Sequence, residues 1–213
     1  MTTDDTTTGT IDLAPQAAEV ARVVAGVRDE QLSDPTPCAG TPVAGLLDHL
    51  LGLTLAFRLA ARKTPLPGGP SASADSLPDD WRERLPEQLD ELVAAWRAPE
   101  AWEGTAEAGG VTLPAPEMAA VALDEVLVHG WDLAAATGQH YRADEASVRA
   151  CLGFVEQVAG EGQEAPPGLF GPAVPVPPDA PVLDRLLGLT GRDPAWTPPR
   201  PGSGSGGGPA ATG

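Results

Sequence analysis

Three residues have the types and spacing to hold one divalent metal ion: His49, Glu125 and His129. The chain contains only three histidines, and two of them interrupt strongly apolar runs. His49 lies in Leu46-Leu47-Asp48-His49-Leu50-Leu51, with Leu46 three before it and Leu53 four after. On a helix that spacing places the imidazole on a core-facing stripe. His129 lies in Val126-Leu127-Val128-His129-Gly130-Trp131, and Glu125 precedes it by four residues. One helical turn brings the two side chains to about 5–6 Å at their Cβ atoms, so one ion can bridge them. Two neutral imidazoles and a carboxylate suit zinc, leaving a fourth position for water or substrate. Nickel, cobalt or iron accept the same donors. Spacing alone also fits a plain hydrogen-bonded Glu–His pair, and that alternative stays open here.

Other candidates carry less. Asp132, three residues after His129, can act as a fourth ligand or as an acceptor that orients an imidazole; a surface aspartate is the competing reading. Cys38 precedes a helix start, a place that suits a reactive thiol, although a buried structural cysteine is the simpler role. Trp131 reads as packing and His140 as a loop residue. No Gly-rich phosphate loop, GxSxG or paired-carboxylate signature occurs.

The elements that must position these residues read as helices. Leu13, Ala17, Val20, Val24 and Val27 recur three or four apart from Ile11 to about Arg28. Thr41-Pro42 reads as a cap and first helical residue for a helix through Leu55 to about Lys63. Trp81 to Trp96 is a third helix with Pro86 placed to bend it, and a Gly-rich connector follows over 98–114. A fourth helix begins at Pro116 and stops at Gly138. Asp144 caps a fifth, to about Val158, and Val182–Leu189 is a short terminal helix. Residues 64–80 and 165–181 read as loops. No segment alternates with a period of two, so strands are minor. The expected class is all-α: a four-helix bundle with added short C-terminal helices. Residues 11–196 form one domain with a C-terminal extension from about 141; 1–10 are expected to be disordered and 197–213 a flexible Gly/Pro-rich tail.

Composition narrows the function classes. Apolar residues make up 42% and aromatics 4%, so Leu, Val and Ala build the core. Thirteen basic against thirty acidic residues give a net charge of −17, with Lys63 the only lysine. Such a surface repels phosphate backbones and anionic lipid, so neither nucleic acid nor membrane is an expected partner. No apolar stretch is expected to approach the ~20 residues of a membrane span. The polar N-terminus has no signal-peptide pattern, and the two cysteines form no disulfide framework. A cytoplasmic protein is expected.

The sequence resembles the actinobacterial branch of the DinB/YfiT-like metalloprotein superfamily, near the mycothiol-dependent maleylpyruvate isomerase N-terminal domain group. Three segments carry the likeness: Thr36-Pro37-Cys38 with the following Asp48-His49-Leu50; Asp124 through Ala134; and Phe170-Gly171-Pro172 continuing to Asp184-Arg185-Leu186-Leu187 and Gly191-Arg192-Asp193-Pro194-Ala195-Trp196. The resemblance implies a DinB-type bundle with metal on His49, Glu125 and His129. Thr41 stands where relatives usually have Trp, which alters the expected pocket mouth. The isomerase's separate C-terminal domain is expected to be missing, so no catalytic residue is carried over from it.

The resemblance implies a metalloenzyme in which the ion activates a low-molecular-weight thiol, mycothiol, against an electrophilic substrate, giving transfer or cis–trans isomerisation. Metal-dependent hydrolysis uses the same ligands. A non-catalytic metal-binding or ligand-sensing protein is the reading from another class; Asp132 closing the site as fourth ligand would favour it. On any of these readings the expected state is a monomer or homodimer. No arginine stands out as a partner for an acidic substrate.

Overall fold

The apolar spacing seen in the sequence produces six helices in the computed structural model, which describes residues 11–64, 76–159 and 170–199. The expected disorder of 1–10, most of the 197–213 tail and parts of both Pro-rich loops lie outside these residues. Helix α1, Ala14–Ala25, buries Ala17, Val20 and Val24 as its stripe requires. Helix α2, Val43–Ala61, begins one residue later than expected. Pro42 itself occupies the capping position in extended conformation, and no side chain caps the helix. The expected Thr41 cap is therefore corrected. The Thr41 carbonyl instead accepts the Thr36 hydroxyl at 2.8 Å, and Pro35 and Pro42 bridge the loop at its base.

Helix α3 spans Trp81–Trp96 and continues through Pro86. Helix α4, Ala115–Thr137, ends where Gly138 enters the left-handed region at φ 67°, a conformation that favours glycine. Helix α5, Glu145–Ala159, is capped as expected: Asp144 Oδ2 accepts the Ser147 amide at 2.9 Å. Helix α6 is Val182–Leu189.

The expected connector over 98–114 needs correction. It contains a short 3₁₀ turn, Pro99–Trp102, and an antiparallel hairpin of β1, Thr105–Ala108, and β2, Val111–Pro114. Gly109 and Gly110 form its two-residue turn, both at positive φ, as the twist of a tight hairpin demands. Each strand has four residues and only Ala106 is buried, so no alternating apolar pattern could announce them. The described residues are mostly helical, with this one small sheet among them.

Helix α1 packs on α3 and α4, and α2 packs on the same two, so α1 and α2 sit across the bundle from each other. Leu46, Leu50, Leu89, Leu123 and Leu127 fill the space between them. Helix α5 covers α4, and α6 covers α5. By length and mean hydropathy (1.5) α2 could cross a bilayer, contrary to the expectation from the sequence, but 67% of that stretch is buried within the bundle. Its apolar surface is explained by core packing.

Candidate metal centre

Because α2 and α4 are neighbours, His49 meets Glu125 and His129 across their seam. His129 Nε2 lies 3.1 Å from Glu125 Oε2, and His49 Nε2 lies 3.8 Å from the same oxygen. The two imidazole rings stand 4.8 Å apart and nearly perpendicular, at 88°. Ligands about 2.1 Å from a tetrahedral ion are ~3.4 Å from one another. The two separations from Glu125 Oε2 bracket that value and all three ligand atoms lie within 4.8 Å of one another, so the three donors can converge on one ion by side-chain adjustment. The His49 side chain keeps 34% exposure against 12% for His129. The group is thus walled by helices on one side and open on the other.

Burial opposes charge on Glu125, but the imidazoles of His129 and His49 facing it outweigh that and hold the carboxyl well below the usual range. Burial likewise opposes a protonated His129. Asp132, Cys38 and Glu125 overcome it and raise the imidazole pKa well above its ordinary value. Standing between two carboxylates, His129 thus holds a second proton more tightly than a free imidazole does. An ion bound at Nε2 has to displace that proton.

Asp132 is fully buried and sits on the opposite edge of the His129 ring from Glu125. Its Oδ2 lies 3.0 Å from His129 Nδ1. Burial pushes its carboxyl up, but His129 and Arg192 more than reverse this and keep it low. Since Nδ1 and Nε2 point away from each other, Asp132 stands apart from the place where His49, Glu125 and the Nε2 atom converge. It is placed to orient the ring.

Two residues join this cluster that sequence reasoning left aside or passed over. Cys38 sits half-buried, its Sγ 3.1 Å from Asp132 Oδ2. Arg192, beyond α6, reaches Asp132 from 60 residues away, with Nη2 donating to Oδ2 at 3.1 Å and Nε to Oδ1 at 3.4 Å. The only signal for it in the sequence was its place in the Gly191-Arg192-Asp193-Pro194 segment. His140 is an exposed loop residue whose carbonyl accepts a bond from Arg22, and Trp131 is packed, 9% exposed.

The model of the mycothiol maleylpyruvate isomerase N-terminal domain family matches residues 13–134, more than half of the chain. That span contains all three candidate ligands. Uncharacterised proteins from two strains of Mycobacterium tuberculosis are each 29% identical over 183 residues, covering 81% of this chain and 91% of theirs. Among solved structures, the mycothiol-dependent maleylpyruvate isomerase shares the fold with a TM-score of 0.57 at 19% identity, over 71% of this chain and 70% of that one. A single-histidine mutant of that enzyme matches with a TM-score of 0.52 over the same shares. This chain belongs to the mycothiol maleylpyruvate isomerase N-terminal domain family.

Proposed function

We propose that the protein is a divalent-metal-binding bundle of the DinB/YfiT type that uses mycothiol, or a closely related small thiol, in a transfer or isomerisation reaction in the cytoplasm. Residues 11–196 act as its single domain. The observation that carries the reading is the convergence of His49, Glu125 and His129 on one point from two helices. Family membership supplies the thiol.

Zinc is the first choice of ion, with nickel, cobalt or iron as alternatives. A divalent ion held there supplies Lewis acidity, which lowers the pKa of a coordinated thiol. Glu125 provides the negative charge that holds the cation. Asp132 keeps the His129 ring turned so that Nε2 faces Glu125. The His49 side chain, 34% exposed, marks the side from which a small thiol and an electrophilic partner would approach. The position of Asp132 on the far edge of the imidazole speaks against a site closed by four protein ligands, and so against a purely structural metal.

Elemental analysis of purified protein beside a His129→Ala variant tests the ligand set: near one equivalent of metal in the parent and little in the variant are expected. Equal metal in both would remove the site. Electrophile turnover measured with and without mycothiol then tests the chemistry. Turnover by water alone would replace thiol transfer with metal-dependent hydrolysis.

A further inference from the structure

The C-terminal segment ends against the candidate metal centre through one side chain, and its backbone is built to deliver it. Helix α6 terminates in a paired hydrogen-bond motif: the Gly191 amide bonds to Gly188 O at 3.1 Å, and the Arg192 amide to Leu187 O at 2.8 Å. This arrangement needs a left-handed residue at the turn, and Gly191 supplies it at φ +83°. A Cβ there would also lie 2.9 Å from the Gly171 backbone. Arg192 leaves the turn pointing back at α4.

Its guanidinium is then fully engaged. Nη1 donates to Thr190 O at 2.7 Å, Nε and Nη2 to the two oxygens of Asp132, and Nη2 also approaches Cys38 Sγ at 3.4 Å. The Asp132 side chain has no exposed surface. A buried carboxylate without a counter-charge is strongly disfavoured, and Asp132 has two positive partners, the Arg192 guanidinium on one side and the His129 ring at Nδ1 on the other. Cys38, His129 and Asp132 are themselves close enough to share a metal ion. The guanidinium already sits against Asp132 and beside the Cys38 sulfur, which disfavours a second ion there.

We propose that Arg192 is a positioning residue for the metal centre: through Asp132 it fixes the His129 ring with Nε2 toward Glu125, and so couples docking of the segment after α6 to metal affinity. The proposal rests on the metal reading above. It makes Arg192 a clamp, not a free cation for an acidic substrate. Coupling of this kind is reciprocal: if the docked segment tightens metal binding, bound metal tightens the docking.

The test uses Co²⁺ alone as probe, titrated into the full chain and followed by its visible absorption. Arg192→Ala is expected to weaken Co²⁺ binding about 10–100-fold and to change the absorption spectrum. Millimolar guanidinium should restore both. Arg192→Lys should restore little, since an ammonium cannot make the two-pronged contact. In the parent protein, saturating Co²⁺ should slow amide exchange at Gly191 and Arg192. That measurement needs no variant and stands if Arg192→Ala does not fold. Unchanged affinity and spectrum in a folded Arg192→Ala protein, or amide exchange indifferent to Co²⁺, would overturn the clamp. A parent that binds no Co²⁺, or a His129→Ala variant that binds it equally, would instead overturn the metal site itself.

Discussion

Helix α4 carries two buried carboxylates eight residues apart, and they have opposite fates. Asp124 is 3% exposed, and its Oδ1 has no hydrogen-bond partner among the described residues. Burial, aided by the neighbouring charge of Glu125, raises its pKa from 3.8 to about 8 against the weaker pull of Arg192 and His129. Asp132 is buried even more completely, yet its pKa is lowered, because His129 and Arg192 both favour its charge. Burial alone makes a carboxyl neutral, and only partners keep it ionised. The charged one is the one aimed at the candidate metal centre.

The largest effect should come from removing the charge that has partners. Asp132→Asn is expected to weaken divalent-metal binding about 10–100-fold, whereas Asp124→Asn leaves it near the parent value; competition with a chelating dye measures both. Equal losses would show that the contrast between the two residues has no bearing on the site. Next in size is the pH dependence of loading. Since the His129 pKa is raised, a proton competes with the ion for Nε2. Affinity should fall ~tenfold per pH unit as pH drops below the folded pKa of His129, with proton release on loading seen by calorimetry in buffers of different ionisation enthalpy.

Stability tests the Asp124 side. Its folded pKa lies above the unfolded one, so the unfolded chain releases its proton first. Stability is then fully present below about pH 4 and is lost as pH rises toward 8. Asp124→Asn should remove that decline, improving on the parent by about 1–3 kcal/mol more at pH 8 than at pH 4 in urea unfolding. A parent whose stability does not fall over this range would contradict the assigned protonation.

Glu19 extends the comparison to a carboxylate remote from the site. Hydrogen bonds from Arg22, and from the Arg142 amide, hold its pKa below the ordinary value against the cost of burial. Its contribution is present above the unfolded pKa and disappears as pH falls through the folded one. Glu19→Gln should flatten the acid limb by about 1 kcal/mol, the smallest change here because the Arg22 side chain is 40% exposed.

How legible these features were depends on how local they are. The stripe Ala17, Val20 and Val24 announces α1, and Gly138 announces the end of α4, because periodicity and capping involve only neighbouring residues. The hairpin over 105–114 was invisible because its strands are short and lean on α2 and α4 more than on their own pattern. Asp132 was noticed but ambiguous, since spacing puts it near His129 without saying whether it faces solvent. Arg192 could not be nominated at all.

By itself the sequence determined that α2 and α4 are helices, that His49 lies on an apolar face, and that Glu125 and His129 share one turn. Those facts follow from the 3.6-residue period and need no other part of the chain. Only the tertiary structure decided that α2 lies against α4, that Asp132 is buried with a partner while Asp124 is buried without one, and that Arg192 arrives from beyond α6. Such contacts between distant residues depend on how the whole core packs, and no local pattern encodes which faces will meet.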